Sequence, residues 1–580
     1  MMHRPNPAAG RLWLAACALL AVFLLQIFFA SLVKSPVADE PGHISAGLSY
    51  VETGLFRANL QHPPLIKELS GLVLKLSGLH MPAGAATREL LNGNSAYQWE
   101  VGNQILTAGD LDRNLLRARV PMMAIAVLLG VLLFVWGREL VGAGAALGAV
   151  FLFSFDPTLM AHSYLVTTDV GCATFTILLL LAVWKYVERP GLTRLALCGL
   201  AMGAALTAKF SAIFLLPVVG VLLLAAVWFS PRDQAAAGGQ RTPSPDDRCP
   251  CGSGRKYKNC HQAERQGKRR AIDYRLYLRS VGAFGAMLAL ALVVVEAVYG
   301  FHGGIGLYVQ GLRLVNADRD PNHLAFLAGQ MEPKFLSYFA AALLLKEPAA
   351  VILLAGYGVF LVLWKSDLGI LQKLFLLLPP AVLFVAYTSF AANLGIRYII
   401  PVLPFAYLAG GVALARLWGS GSIAKRAAAG ALCTWLLVAA AGIYPDHLSY
   451  FNEFACVAEP AQIGLDGGSR CGTLWLDDSN VDWGQGLKQL KDWLAVHAKG
   501  RTVRLGYFGS FAPEAYGFPI EKLNPLQLAE PPSPGLYAVS AHTVAYVSGL
   551  IDKYHEGSNW MRTTQPTAIV GHALYIFDIK

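Results

Sequence analysis

Long apolar runs dominate the first three quarters of the chain. They recur at 12–33, 119–136, 141–156, 169–187, 193–208, 210–229, 277–299, 336–364, 371–390, 397–417 and 425–443. Each is near the ~20 residues an α-helix needs to cross a ~30 Å hydrocarbon core, so the pattern predicts eleven transmembrane helices within 1–443. The first run, Leu12 to Val33, follows His3, Arg4 and Arg11 as a signal peptide would. It is too long for an h-region, and its end, SLVKSPVADE, is a poor cleavage site, which makes it a retained helix with its N-terminus inside. An odd number of helices then places 444–580 outside. There the period changes: short β-rich runs (TVRLGYFG, GLYAVSAHTVAYV, ALYIFDI) flank one amphipathic helix over 484–498, the pattern of a small α/β domain. The expected fold is a polytopic α-helical membrane protein with a small extracytoplasmic α/β domain at its C-terminus.

Composition supports that division. Of 580 residues, 55% are hydrophobic and only 14% charged, against roughly 25% charged in soluble domains, which argues against a soluble cytosolic enzyme. The net charge of +10 tests the topology, because inside loops collect Lys and Arg. Arg138, Lys185, Arg189, Arg194, Lys365, Lys373, Arg416, Lys425 and Arg426 all fall inside on this assignment. The 230–275 loop does so most strongly, with eleven basic against five acidic residues. The charge therefore reads as a membrane-topology determinant, and nucleic-acid binding is demoted. Cys17, Cys172, Cys198 and Cys433 lie in apolar spans as small core residues. Cys456 and Cys471 are the two outside, where a bridge is chemically reasonable but its geometry is not readable from sequence.

Three further cysteines lie in the inside loop, a reducing environment that favours metal binding over disulfides. The segment DDRCPCGSGRKYKNCH at 246–261 spaces Cys249, Cys251, Cys260 and His261 as C-x-C-x8-C-H. Three thiolates and an imidazole form a closed tetrahedral set for structural Zn²⁺, with Gly252 and Gly254 permitting the tight turn between the halves. The segment resembles the SEC-C motif, a short zinc-binding module. A closed site implies a structural or docking role.

Outside, a long loop from Lys34 to about Ala118 begins with Asp39 and Glu40, adjacent carboxylates just past the end of the first helix. Charges at that depth are costly unless solvated or partnered, which makes them functional candidates, with an ordinary solvated pair as the alternative. Downstream, His62-Pro63-Pro64 gives a rigid entry into an amphipathic stretch, 65–79, expected to lie along the membrane surface. Helix 1, Asp39-Glu40, HPPLIK, RARVPMM, SFDPTLMAHSYLVTTDV, LTAKFSAIFLLPV, LKEPAAVILL and NLGIRYIIPVLPF follow one another in an order that resembles the GT-C glycosyltransferases. The protein O-mannosyltransferase type is the nearest, and YPDHLSYFNEFA and DDSNVDWGQGLKQL resemble a bacterial branch of lipid-carrier-dependent sugar transferases. Ile66 stands where that family's HPPLGK has glycine. No acceptor-reading domain of the eukaryotic type is recognisable, so protein O-mannosylation is not carried over.

The resemblance implies transfer, with inversion, of a sugar from a polyprenyl-phosphate donor to an extracytoplasmic acceptor (protein, lipid or glycan), at a bacterial inner membrane with the N-terminus cytoplasmic and the C-terminus periplasmic. Such a displacement needs a base for the acceptor proton and positive charge for the leaving phosphate. Asp39 is the expected base, with Glu40 orienting the acceptor or tuning Asp39. Arg119, Arg397 and Lys209 are candidate phosphate ligands, since guanidinium forks suit phosphate oxygens; snorkelling at the interface is the alternative for the arginines. Asp169 is expected to bind the sugar or, with His62, a divalent ion, or else to serve as a helix N-cap. His162 reads as a satisfied interfacial histidine and Lys346-Glu347 as an internal ion pair. The segment 477–483 is either an acceptor-binding strip or a capped loop. Gly142, Gly144 and Gly148 read as close helix packing. Two rivals remain: a transporter or flippase, and a zinc-motif docking protein associated with secretion.

Overall fold

The computed structural model describes residues 7–229, 274–317 and 323–580. The zinc candidates Cys249, Cys251, Cys260 and His261 lie outside the described residues. All eleven apolar runs contain helix, but they do not form eleven equal spans. Eight helices among the described residues are long and apolar enough to cross a membrane: Gly10–Leu32, Leu111–Leu140, Asp169–Glu188, Phe210–Trp228, Tyr274–Val298, Ile370–Phe390, Ile396–Trp418 and Ile423–Ile443. Ala143–Ser154 and Leu192–Ala208 are shorter apolar helices. The chain is a multi-pass membrane protein.

The run at 336–364, expected as one span, is instead Tyr338–Lys346 and Ala349–Trp364, bent by 114°. Pro348 is the cause, because its ring excludes the residue before it from helical backbone. Glu347 accordingly sits at φ −80°, ψ 142°. Small residues let the helices approach closely. A Cβ on Gly148 would lie 3.2 Å from Gly411 Cα, and one on Gly411 would lie 2.1 Å from Ala145 O, so close packing holds at Gly148; Gly142, with nothing near it, instead takes φ +93° at the start of the Ala143–Ser154 helix, and Gly144 meets only Ala415 at 3.9 Å.

The loop after the first helix is itself helical, with Glu40–Thr53, Leu65–Leu76, Ala85–Leu91 and Gln98–Thr107. The amphipathic stretch after HPP packs one face on the Glu40–Thr53 helix, where a Cβ on Gly71 would meet the Gly47 carbonyl at 2.2 Å, and leaves Leu72 and Leu76 exposed. The next span starts at Leu111, earlier than its apolar run, because Asp110 caps it by accepting from Arg113 N at 2.9 Å.

The C-terminal part carries a five-stranded sheet of β3 (Val503–Gly506), β4 (Ile520–Lys522), β5 (Gly535–Ser540), β6 (Ala568–Val570) and β7 (Leu574–Ile579), while β1 (Ala325–Leu327) and β2 (Gln330–Glu332) form a separate hairpin. The five-stranded order is β4-β3-β5-β7-β6, with β3 parallel to β4 and β5, and β7 antiparallel to β5 and β6. GLYAVSAHTVAYV, read as strand throughout, becomes helix at Ala541. Its buried Val544, Val547 and Ile551 recur at helical spacing. The amphipathic helix is present as Leu487–His497. Cys456 and Cys471 are joined by a disulfide.

This C-terminal part is stitched onto the start of the loop after the first helix. Ser35 N donates to Gln485 O at 3.2 Å and Ala38 N to Trp483 O at 2.8 Å, while Leu487 N donates to Ser35 Oγ at 2.9 Å. Beside these, Lys34 forms a buried ion pair with Asp446. The stitching carries the 477–485 segment over the acidic pair.

Candidate functional site

Asp39 and Glu40 are adjacent in sequence and opposite in fate. Glu40 begins the Glu40–Thr53 helix and is completely buried. Its Oε1 accepts from Arg119 Nε at 2.9 Å and Val166 N at 3.0 Å; its Oε2 accepts from Arg119 Nη2 at 2.7 Å and Val37 N at 2.9 Å. Arg119 is equally buried and spends its remaining N–H groups on carbonyls. Nη1 donates to Ser31 O at 3.0 Å and Lys34 O at 3.2 Å, and Nη2 to Ser35 O at 2.9 Å. A guanidinium has five N–H donors, and all five of these are taken by protein. Arg119 therefore differs from the expected phosphate clamp: it fastens Glu40 and the 31–35 turn, and no donor is left for a substrate.

Asp39 turns the other way. Its side chain keeps 30% of its exposure and accepts from Arg397 Nη1 at 2.8 Å. The Arg397 guanidinium lies over the Trp483 ring at 4.2 Å and the Tyr398 ring at 5.3 Å, contacts that orient a cation through its face, and its Nε donates to Leu394 O at 3.4 Å. Asp169 and Asp478 stand within electrostatic reach of Arg397. Asp169 is not a helix cap: Thr168 holds that position, and the Asp169 carboxylate forms a buried ion pair with Lys209. Lys209 sits over the same Tyr398 ring, 4.8 Å from its centroid. Asp39, Arg397, Asp169 and Lys209 thus converge from four separate elements, with two cations set among carboxylates at one end of the helix bundle.

Histidines line this cluster. His62 and His43 meet edge to face at 5.0 Å, and His43 Nδ1 bonds Val166 O at 2.7 Å. A carbonyl only accepts, so Nδ1 carries the proton and Nε2 is the basic nitrogen. Burial, helped by the neighbouring His43, Lys67, Lys209 and Arg397, holds His62 well below the usual imidazole range. Burial also lowers His43, against the pull of Asp39. Both rings are neutral at pH 7. Among the described residues no group of three or more His, Cys, Asp or Glu is placed to hold a metal ion. His162 is buried against Trp483 with Nδ1 unpartnered, and burial drives it to about 3.

Sequence reasoning missed several participants. Lys67, the lysine of HPPLIK, is buried and donates to Asn59 O at 2.7 Å and His62 O at 2.6 Å; it fixes the loop that presents His62. Trp483 and Asp478, from the 477–483 segment singled out in the sequence, are brought beside Arg397. Asp478 adopts φ +54°, its N–H donating to His542 Nδ1 at 2.9 Å. Burial raises its carboxyl, opposed by Arg397. Lys346 does not pair with Glu347 as expected: its Nζ donates to Leu448 O at 2.7 Å and Asn480 O at 2.6 Å, anchoring the segment that carries Trp483.

Comparison with known proteins gives two family matches. Residues 108–234 match the family described as Dolichyl-phosphate-mannose-protein mannosyltransferase, a stretch containing Arg119, Asp169 and Lys209. Residues 247–263 match the SEC-C motif. No curated protein matches the chain. Among solved structures, ArnT from Cupriavidus metallidurans in the apo state is 14% identical, with 98% of each chain covered and a TM-score of 0.45. The Archaeoglobus fulgidus oligosaccharyltransferase in the apo form is 13% identical, with 95% of this chain and 72% of that one covered and a TM-score of 0.44. The chain therefore carries the mannosyltransferase family's pattern over 108–234, followed by a SEC-C motif at 247–263.

Proposed function

We propose that this chain is a membrane glycosyltransferase that moves a sugar from a polyprenyl-phosphate carrier to an acceptor outside the cytoplasm, with inversion, and that Asp39 is its general base. The division of labour between adjacent carboxylates supports this most directly. Glu40 is saturated by four donors, whereas Asp39 is partly open and bound to one arginine edge. An anionic phosphate entering the cluster would compete with Asp39 for Arg397. Donor binding would thereby free the Asp39 carboxylate to accept the acceptor's hydroxyl or amine proton as that atom attacks the anomeric carbon. The carbon–oxygen bond to phosphate breaks on the opposite face, and Arg397 and Lys209 hold the charge that develops on the leaving phosphate. Asp169 keeps Lys209 in place, and the neutral His62 and His43 offer hydrogen-bonding without adding positive charge. Glu40 and Arg119 act as positioning residues.

The family match over 108–234 supports the donor class, and the sugar and acceptor stay unnamed. On this reading the Asp39 cluster and residues 444–580 face the periplasm of an inner membrane, and Cys249, Cys251, Cys260 and His261 hold a structural Zn²⁺ on the cytoplasmic side. Metal analysis of the purified protein before and after Cys249→Ser and Cys251→Ser checks the zinc assignment.

The central test is release of sugar from a radiolabelled polyprenyl-phosphate donor by purified wild type and Asp39→Asn, with pooled acceptor extracts. Loss of consumption in a folded variant supports Asp39 as base. Equal activity in the two proteins removes Asp39 from the chemistry.

A further inference from the structure

The end of the helix bundle away from the Asp39 cluster carries a second feature. Ile396–Trp418 begins beside Arg397 and runs for 23 residues, so its far end lies about 33 Å away along the helix axis. There it meets the end of Ala349–Trp364 and the start of Ile423–Ile443, and the three helix ends enclose a cleft of about 530 Å³. Tyr357, Phe360 and Leu361 form its apolar wall, and Lys365, Arg416 and Lys425 its polar mouth. No acidic residue lines it.

The charges are unbalanced. Lys365, Arg416 and Lys425 are exposed, and their side chains make no ion pair or hydrogen bond among the described residues. The neighbouring Arg426, whose Nε donates to Trp418 O and Ser420 O at 3.2 and 3.0 Å, adds a fourth positive charge beside them. Three like charges around one cleft repel one another unless an anion joins them. The cleft's surroundings fix its depth: Trp364 and Trp418, 68% and 61% exposed, flank it, as aromatic side chains do at the membrane–water interface. Tyr357 and Phe360, stacked at 6.4 Å and partly exposed, continue the wall toward the hydrocarbon.

We propose that this cleft binds the headgroup of an anionic phospholipid, its phosphate held by Lys365, Arg416 and Lys425 and its acyl chain lying along Tyr357, Phe360 and Leu361. Basic pockets between helix ends at the inner leaflet suit such headgroups, and the apolar wall selects a lipid over a soluble phosphate. The proposal stands apart from the transfer chemistry, since none of these residues belongs to the Asp39 cluster.

The test uses the full-length protein in nanodiscs of phosphatidylcholine, titrated with a fluorescent phosphatidylglycerol, for wild type and the Lys365→Gln/Arg416→Gln/Lys425→Gln variant. All three side chains are exposed, so the variant folds, and a matching thermal unfolding curve verifies it. The expected result is saturable binding in wild type, weakened about fivefold per removed charge and about 100-fold in the triple variant. Inorganic pyrophosphate and glycerophosphoglycerol, lacking the acyl chain, are expected not to displace the lipid. Equal affinity in variant and wild type overturns the proposal. Displacement by either soluble phosphate overturns the lipid assignment and makes the cleft a site for free phosphate compounds.

Discussion

Replacing Glu40 and Asp39 separately distinguishes the buried carboxylate from the open one. In Glu40→Gln, an amide NH₂ takes the place of one carboxylate oxygen. Each oxygen of Glu40 faces two N–H donors, so the new NH₂ opposes two donors and satisfies neither. The Arg119 charge then remains in a site where both side chains have no exposure, without a counter-charge. Removing one member of a buried ion pair costs about 3–5 kcal/mol, because the partner's desolvation is no longer offset. Asp39→Asn removes a pair that keeps 30% and 12% exposure, worth about 0–1 kcal/mol. Denaturant unfolding of the purified variants in detergent should therefore place Glu40→Gln several kcal/mol below wild type and Asp39→Asn within about 1 kcal/mol of it, while donor consumption is lost in Asp39→Asn. A Glu40→Gln protein as stable as wild type but inactive would refute the reasoning, making Glu40 a chemical participant and Arg119 a dispensable partner.

Other expectations follow from the same contacts. Burial lowers His572, but hydrogen bonds to Asp446 and Asp466, at 2.7 and 3.2 Å, override it and raise the ring to about 9. The stabilisation is therefore complete below the unfolded value of about 6.5 and is lost as pH rises through 9; stability measured from pH 6 to 10 should fall across that window, and His572→Gln should flatten the fall. Gly71→Ala drives a methyl into the Gly47 carbonyl, separating two helices of the outer loop; the expected loss is about 1–3 kcal/mol or more, read by thermal unfolding. Cys456 and Cys471, 15 residues apart, should resist thiol labelling until reduced, and a double Ser variant should lose about 3 kcal/mol by the same unfolding assay.

Much of this protein is legible along the chain because it depends on local composition. Span positions follow from runs of apolar residues that must satisfy their backbone within a bilayer, and the mannosyltransferase-type motifs between 108 and 234 are matched by that family. The break at 347 was also written in the sequence, in Pro348, but was outweighed by the apolar run around it. Helical periodicity within GLYAVSAHTVAYV likewise lay under a strand-like composition.

What tertiary structure alone decided is the separation of Asp39 from Glu40. Both are adjacent acids just past the first helix, and apart from the family resemblance no property of the two residues says which is buried and which is open. The difference comes from partners 79 residues away for Glu40 and 358 away for Asp39. The same holds for Arg119 and Arg397: both are phosphate candidates by sequence, and one is consumed by five protein acceptors while the other meets aromatic faces, one carboxylate and the Leu394 carbonyl. Electrostatic roles of this kind depend on which groups the fold brings within a few ångströms, and the Coulomb and desolvation energies that fix them are set by distance and burial rather than by residue type.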